Sequence, residues 1–369
     1  MRTAARWCGI VLLSCATQVA WAADAEDSDY FGLLRTRDIT PFGFLRLDMR
    51  PTHARIAPEG SWGVETELAY QNTWALSPNV ENYLSTLSGR RDLGPADADA
   101  IRALPGENYL VDLELALLDV TFHYKFSSQW AAYLVLSGSW YGGGFLDSTI
   151  ESFHDVFGFD DFGRPAVRRD DFNYILDLKG TQATAFELPN DGGMLDPTIG
   201  VRYSGISLGK NWKVIFEAAA KLPLQGQRDL LSTGLTDYGV QMTFQRFADQ
   251  HAWYIAPSVV YFAGSPDLAP TDSDFIPTLV LGYERHLGAN THLILQGYVS
   301  PSVWSGDDTD LDDLRATKYQ ATLGLYHRIG AGLITFGITE NLQNLNNTPD
   351  IGFQLGLSFS PALLAPPGK

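Results

Sequence analysis

Ile351-Gly352-Phe353-Gln354-Leu355-Gly356-Leu357-Ser358-Phe359 places an apolar residue at every second position. Upstream, Tyr319, Ala321, Leu323 and Leu325 alternate with Gln320, Thr322 and Gly324, and Ile334, Phe336 and Ile338 with Thr335 and Gly337. A period of two is the period of a β-strand, whose successive side chains point to opposite faces. Each of these strands therefore has one apolar face and one face of small or polar groups. If the apolar face meets lipid, Leu323, Phe336 and Leu355 look outward, and Gln320, Thr335 and Gln354 look inward.

The same alternation recurs toward the N-terminus. It marks runs at 62–71, 109–126, 130–136, 199–203, 212–222, 238–244, 253–261, 279–283 and 293–299, so that about twelve strands follow Trp62. In the run 109–126 the apolar phase changes from Tyr109, Val111, Leu113 and Leu115 to Val120, Phe122, Tyr124 and Phe126, which predicts a bulge near Leu117-Leu118. Residues 43–50 also alternate. Counting them and 30–38 as strands would raise the number to about fourteen; otherwise the segment 23–60 lies in the lumen or the periplasm. Connections of two lengths separate the runs: short ones such as 127–129, 208–211, 248–250, 287–290 and 329–332, and long ones at 75–107, 141–196, 225–236, 264–274, 300–317 and 340–349. Alternating strands joined by short turns on one side and long loops on the other predict an all-β, antiparallel, up-and-down transmembrane barrel, with periplasmic turns and extracellular loops. Aromatic residues at the strand ends, among them Trp62, Tyr70, Trp130, Trp140, Trp212, Trp253 and Tyr283, suit the two interfacial girdles of such a barrel. The barrel is expected over 61–360, with a tail at 361–369.

Composition agrees. The 369 residues include 20 Phe, 16 Tyr, 9 Trp and 35 Gly, a mixture suited to many strands and turns. The formal net charge of −17 argues against a nucleic-acid partner. Residues 1–22 combine Arg2 and Arg6, the apolar run Trp7 to Val19, and Ala20-Trp21-Ala22, which is the pattern of a signal peptide cut after Ala22. Cleavage would change the charge from −17 to −19 and remove Cys8 and Cys15, the two cysteines of the chain, so no disulfide is expected. A lipoprotein anchored at Cys15 is the rival, disfavoured by the bulky Leu13 and the short apolar run before it.

Two stretches carry a family likeness. One is Tyr30-Phe31-Gly32-Leu33-Leu34-Arg35-Thr36-Arg37-Asp38-Ile39-Thr40-Pro41-Phe42 with Phe44-Leu45-Arg46-Leu47-Asp48-Met49-Arg50-Pro51. The other is Gly144-Phe145-Leu146-Asp147-Ser148-Thr149-Ile150-Glu151-Ser152-Phe153-His154, followed by Phe157-Gly158 and Gly163-Arg164. Together they resemble an uncharacterised proteobacterial family, a domain of unknown function regarded as outer-membrane barrels. The resemblance implies fold and location, and no activity.

Candidate sites follow from the barrel reading. Glu65, Glu67, Asp112, Glu114, Arg202, Lys213, Glu217 and Lys221 fall at inward positions, where they would line a channel or pair across strands in a polar lumen. The loop 141–196 is too apolar to sit in water without cost. Its Phe145, Ile150, Phe153 and Phe157 are expected to point into the barrel mouth as a gate, with a short helix over 147–157 that includes His154. Arg164, Arg168 and Arg169 should pair with acidic neighbours. Tyr83, Leu84, Leu87, Ile101 and Leu104 suggest short amphipathic helices in 75–107. Basic groups beside the short turns (Lys125, Lys210, Arg246, Arg285, Arg328) contrast with acidic loops such as Asp307, Asp308, Asp310, Asp312 and Asp313, which read as solvated rather than as a metal site, since calcium-loop spacing is missing.

No Gly-x-Ser-x-Gly elbow, His-Glu-x-x-His pair or cysteine pair points to an enzyme, a cofactor or a metal. Ser152-Phe153-His154-Asp155, and Asp112, Glu114, Asp119 and His123 on one strand, are the nearest approaches to a catalytic set. Three functions compete: a passive channel or transporter for small, even hydrophobic, solutes; a structural or adhesive barrel meeting lipopolysaccharide or another partner; and a membrane-embedded hydrolase. The expected partners are outer-membrane lipid, lipopolysaccharide and a small solute.

Overall fold

The computed structural model describes residues 30–40, 43–53, 58–179, 181–188, 191–224, 226–265, 271–343 and 347–360. The proposed signal peptide and the tail 361–369 lie outside these residues. The elements, in chain order, are β1 (Ser61–Leu76), α1 (Pro78–Ser85), α2 (Pro95–Arg102), β2 (Asn108–Lys125), β3 (Trp130–Gly142), α3 (Asp147–Phe157), β4 (Asn173–Leu178), β5 (Thr181–Ala185), β6 (Gly193–Met194), β7 (Thr198–Ser207), β8 (Trp212–Lys221), β9 (Asp237–Ala248), β10 (His251–Phe262), β11 (Asp274–His286), β12 (Thr291–Ser300), α4 (Asp312–Arg315), β13 (Lys318–Ile329), β14 (Gly332–Gln343) and β15 (Ile351–Phe359).

Twelve of the strands form a closed antiparallel barrel. Each pairs with its neighbours in the order β1, β2, β3, β7 to β15, and β15 returns to β1 through Val64↔Phe359 to Asn72↔Ile351. Closure leaves no strand edge in the barrel, so the ladder satisfies backbone groups that lipid cannot. The chain is thus an outer-membrane-type β-barrel. Its twelve strands coincide with the twelve runs of alternation, and among the described residues 30–53 adds no strand, so the count of fourteen does not hold. The remaining strands are accessory: β4 pairs with the upper part of β2, β5 with β4, and β6 with β3.

Facing follows the pattern. Leu323, Phe336 and Leu355 are exposed on the outer wall, whereas Gln320, Thr335 and Gln354 are buried inside. Connections sort by length as well: 126–129, 208–211, 249–250, 287–290 and 330–331 at one end, and the long loops at the other.

The hairpin β1–β2 is longer than a bilayer needs. No bulge interrupts it: β2 pairs without a register shift along all of β1 and along β3. Tyr109, Val111, Leu113, Leu115, Leu117, Asp119, Thr121 and His123 therefore share the inner face, and Leu110, Asp112, Glu114, Ala116, Leu118, Val120 and Phe122 the outer one. The apparent phase change has another cause. In the membrane the outer face is apolar because it meets lipid. Above it the inner face is apolar because it packs a core, with Tyr109, Val111, Leu113, Leu115 and Leu117 against Tyr174, Leu176 and Trp304. Helices α1 and α2 cover the outer face there, where Val80, Leu84, Ala98 and Ile101 pack on Trp74, Leu76 and Leu110.

A strapped lumen as the candidate functional site

The N-terminal segment 30–53 fills the lumen as a doubled strap. It starts at the short-turn end, where Tyr30 Oη donates to the Asp249 carbonyl in the β9–β10 turn at 2.7 Å. It rises until the Gly43 and Phe44 N–H groups donate to the Thr40 carbonyl, and Ile39 and Phe44 join the apolar core below the long loops. It descends again to His53, beside Phe247 and Tyr254 near the starting level.

Wall side chains satisfy the strap's backbone. Phe31 and Gly32 N–H donate to Glu284 at 2.9 and 3.0 Å, and Leu47 N–H donates to Asp237 at 2.9 Å. Gln241 and Gln245 each donate to strap carbonyls, those of Met49 and Thr52, at 3.0 Å. These buried side chains supply what a neighbouring strand would otherwise give.

Glycine holes seat the strap's apolar side chains. A Cβ on Gly282 would overlap Leu33, one on Gly324 or Gly337 would overlap Leu34, and one on Gly239 would lie 2.6 Å from Met49 Sδ. All four glycines face inward, so the wall is thinned where the strap presses on it.

Charge organises the middle of the lumen. Arg35 pairs with Glu65 at 3.1 Å, Arg50 and Arg37 with Asp119 at 3.1 and 3.5 Å, and Lys318 with Asp38 at 2.6 Å. On the wall itself Arg202 pairs with Glu217 and Lys221 with Asp237, each at 2.8 Å. Buried charges without partners would be costly, and the pairs of Arg35, Arg37, Arg50 and Asp38 hold strap to wall.

Clefts remain on both sides of the strap. One runs along β2, β3, β7 and β8 and reaches Leu195, Asp196 and Leu231 below the long loops. Another lies between the rising leg and β1, β14 and β15 and reaches Gly63, Ser358 and Phe359 at the short-turn end. Arg35, Glu65 and His123 line both. His123 Nε2 lies 3.4 Å from Glu65. In the upper cleft Arg202 Nη1 and Glu217 Oε2 have no hydrogen-bond partner among the described residues.

The sequence-derived site residues divide. Glu65, Glu67, Arg202, Lys213, Glu217 and Lys221 sit at inward register positions. Asp112 and Glu114 do not line the lumen: they are buried on the outer wall above the membrane, where Asp112 accepts from Asn173 and Glu114 from the Phe145 and Leu146 N–H groups. Asp119 and His123 face inside, so the four titratable groups of β2 never meet as one site.

The gate loop is also corrected. Helix α3 spans the expected 147–157, but on the outer wall of the β1–β2 extension rather than in the mouth. Of the four aromatic or apolar residues expected to point inward, Ile150 alone is buried. Phe145, Phe153 and Phe157 are exposed. Polar groups do the anchoring: buried Arg164 binds Asp147 and Asp350, and its guanidinium carbon lies 4.9 Å from the centre of the Trp74 ring. Arg169 and Arg90 both bind Glu151, Arg168 lies 3.3 Å from Asp92, and His154 Nδ1 lies 3.0 Å from Asp161. Burial pushes the Glu151 carboxyl up, but the two guanidiniums hold it below the usual carboxylate range.

The lumenal partners Asp237, Glu284 and Lys318, and the four glycine sockets, were not singled out from the sequence. A polar or glycine residue at an inward position is the default of any barrel, so nothing local distinguishes a socket from an ordinary lumenal site.

Several solved structures are similar to this chain. The COG4313 outer membrane channel from Pseudomonas putida F1 is 11% identical, with a TM-score of 0.50, over 85% of this chain and 99% of that one. A NanC porin is 9% identical at a TM-score of 0.42, over 81% and 99%. The P. putida toluene transporter TodX is 10% identical at 0.38, over 83% and 90%. No curated relative matches the chain. Residues 9–360 match the family described as Protein of unknown function (DUF3187), and this outer-membrane barrel with its strapped lumen therefore belongs to that family.

Proposed function

We propose that the protein is a passive outer-membrane channel for small polar solutes, with the N-terminal strap as its gate. The observation that carries this is the pair of clefts beside the strap, one reaching each end of the barrel, which meet at Arg35, Glu65 and His123. The charged layer at which they meet, Arg35, Glu65 and His123, suits polar rather than hydrophobic solutes. Gating would need the strap to shift by a few ångströms at that layer, not to leave.

Conductance in planar bilayers tests the reading. The wild-type barrel should conduct weakly. Leu33→Ser with Leu34→Ser, which empties three of the four glycine sockets, should raise conductance severalfold while the barrel stays folded. Folded variants that conduct no better than wild type would sink it.

A second reading has one observation in its favour. The apolar core of Phe44, Leu113, Leu176 and Trp304 fills the inner side of the long-loop end. A permanently sealed mouth would make this a structural barrel, silent in every strap variant. For export, we propose cleavage after Ala22, which N-terminal sequencing of the membrane-extracted protein would read directly, and lipid and lipopolysaccharide as surroundings of the folded barrel.

A further inference from the structure

Helix α3 has a buried polar side and a bare aromatic one. Asp147, Ile150 and Glu151 are turned to the barrel's outer wall. Phe153, Val156, Phe157 and, just beyond the helix, Phe159 are 45%, 78%, 63% and 58% exposed. Phe153 gathers Phe157 and Phe159 around it, at 4.6 and 5.9 Å between ring centres. An apolar patch of this kind is costly in water and marks a contact surface.

Its position names the occupant. Phe145, at the start of the same segment, stacks on Tyr70 at 5.1 Å. Tyr70 is the outward residue of β1 directly above lipid-facing Leu68, and through Ala116 it shares a row with the exposed Trp140 of β3. The segment that carries the aromatic patch thus begins on the outer wall's apolar belt, at its upper edge. In the loop beyond the helix, Arg169, which binds Glu151, and Arg168 keep 47% and 63% of their side chains in solvent. An exposed aromatic side at the upper edge of the apolar belt, with guanidiniums held close by on the following loop, suits a helix lying in a membrane interface.

We propose that α3 is an interfacial anchor whose Phe153, Phe157 and Phe159 sit among the acyl chains of the outer leaflet. It fixes the depth of the barrel beside the β1–β2 extension. The anchor does not depend on whether the lumen conducts.

Collision accessibility of a nitroxide label tests this. Phe157→Cys is labelled in the full chain carrying Cys8→Ser and Cys15→Ser, folded into phosphatidylcholine–phosphatidylglycerol vesicles. Leu355→Cys serves as the lipid control and Asp307→Cys as the water control. The ratio of oxygen to nickel-chelate collisions at Phe157 should match Leu355 and exceed Asp307 severalfold. A ratio equal to that at Asp307 would overturn the proposal. So would spin–spin broadening at high dilution in lipid, which would put a second copy of the chain on the patch. Val156→Cys, the most exposed position, gives the same reading if Phe157→Cys does not fold.

Discussion

Leu355 and Gln354 are neighbours in sequence and opposites in environment, which makes them a direct check of register. Leu355→Arg would put a cation into hydrocarbon and should cost about 2–4 kcal/mol. Gln354→Arg points at Glu67, to which Gln354 already donates, and should be nearly neutral. The temperature at which the folded band converts on gels measures both; equal losses would mean the faces are reversed. The glycine sockets give a sharper test. Gly324→Val should overpack Leu34 and cost about 1–3 kcal/mol, and Leu34→Ala should restore part of that loss. Facing was legible residue by residue because lipid imposes a strict alternation. Socket positions were not, because their meaning lies in a segment about 190 to 300 residues away in the chain.

Among the elements, α3 shows how far local pattern reaches. Its span was readable from Ile150, Phe153 and Phe157 on one face, but the direction of that face was not. Apolar load demands a partner surface without saying which one, and here the polar cluster around Arg164 fixes the seat. Arg164→Met should leave Asp147 buried without its cation and cost about 3–5 kcal/mol. The loop 143–172 should then become cleavable by trypsin while the strands stay resistant. Acid should loosen the same contact. Because Glu151 is held below the ordinary range of a carboxylate, its contribution is complete above that range and fades as pH falls through the lower folded value. Proteolysis of this loop should therefore speed up near pH 3 relative to pH 7, and less so in Glu151→Gln. Strand β2 carries the complementary lesson: a change of apolar phase signals a bulge only where the surroundings stay constant, and β2 leaves the membrane halfway along.

At the scale of the molecule, barrel closure was legible because twelve alternating runs with sorted loops admit few other arrangements. The filling of the lumen was open in the sequence, since 43–50 alternates as a strand would. What decided it is the pairing of strap charges and amides with wall groups at distant positions, Glu284, Asp237 and Lys318 among them.

Both described ends of the strap lie at the short-turn rim, Tyr30 beside the β9–β10 turn and His53 beside Phe247 and Tyr254. It is therefore a bight, like a doubled cord pushed into a tube, and no free chain end has to be threaded through the ring of strands. The cylinder can close first and receive the bight afterwards, or release it again without a single ladder bond of the wall being broken. Assembly and opening then become separate events. The seam between β1 and β15 sets the first, and the grip of four small hollows on Leu33, Leu34 and Met49 sets the second.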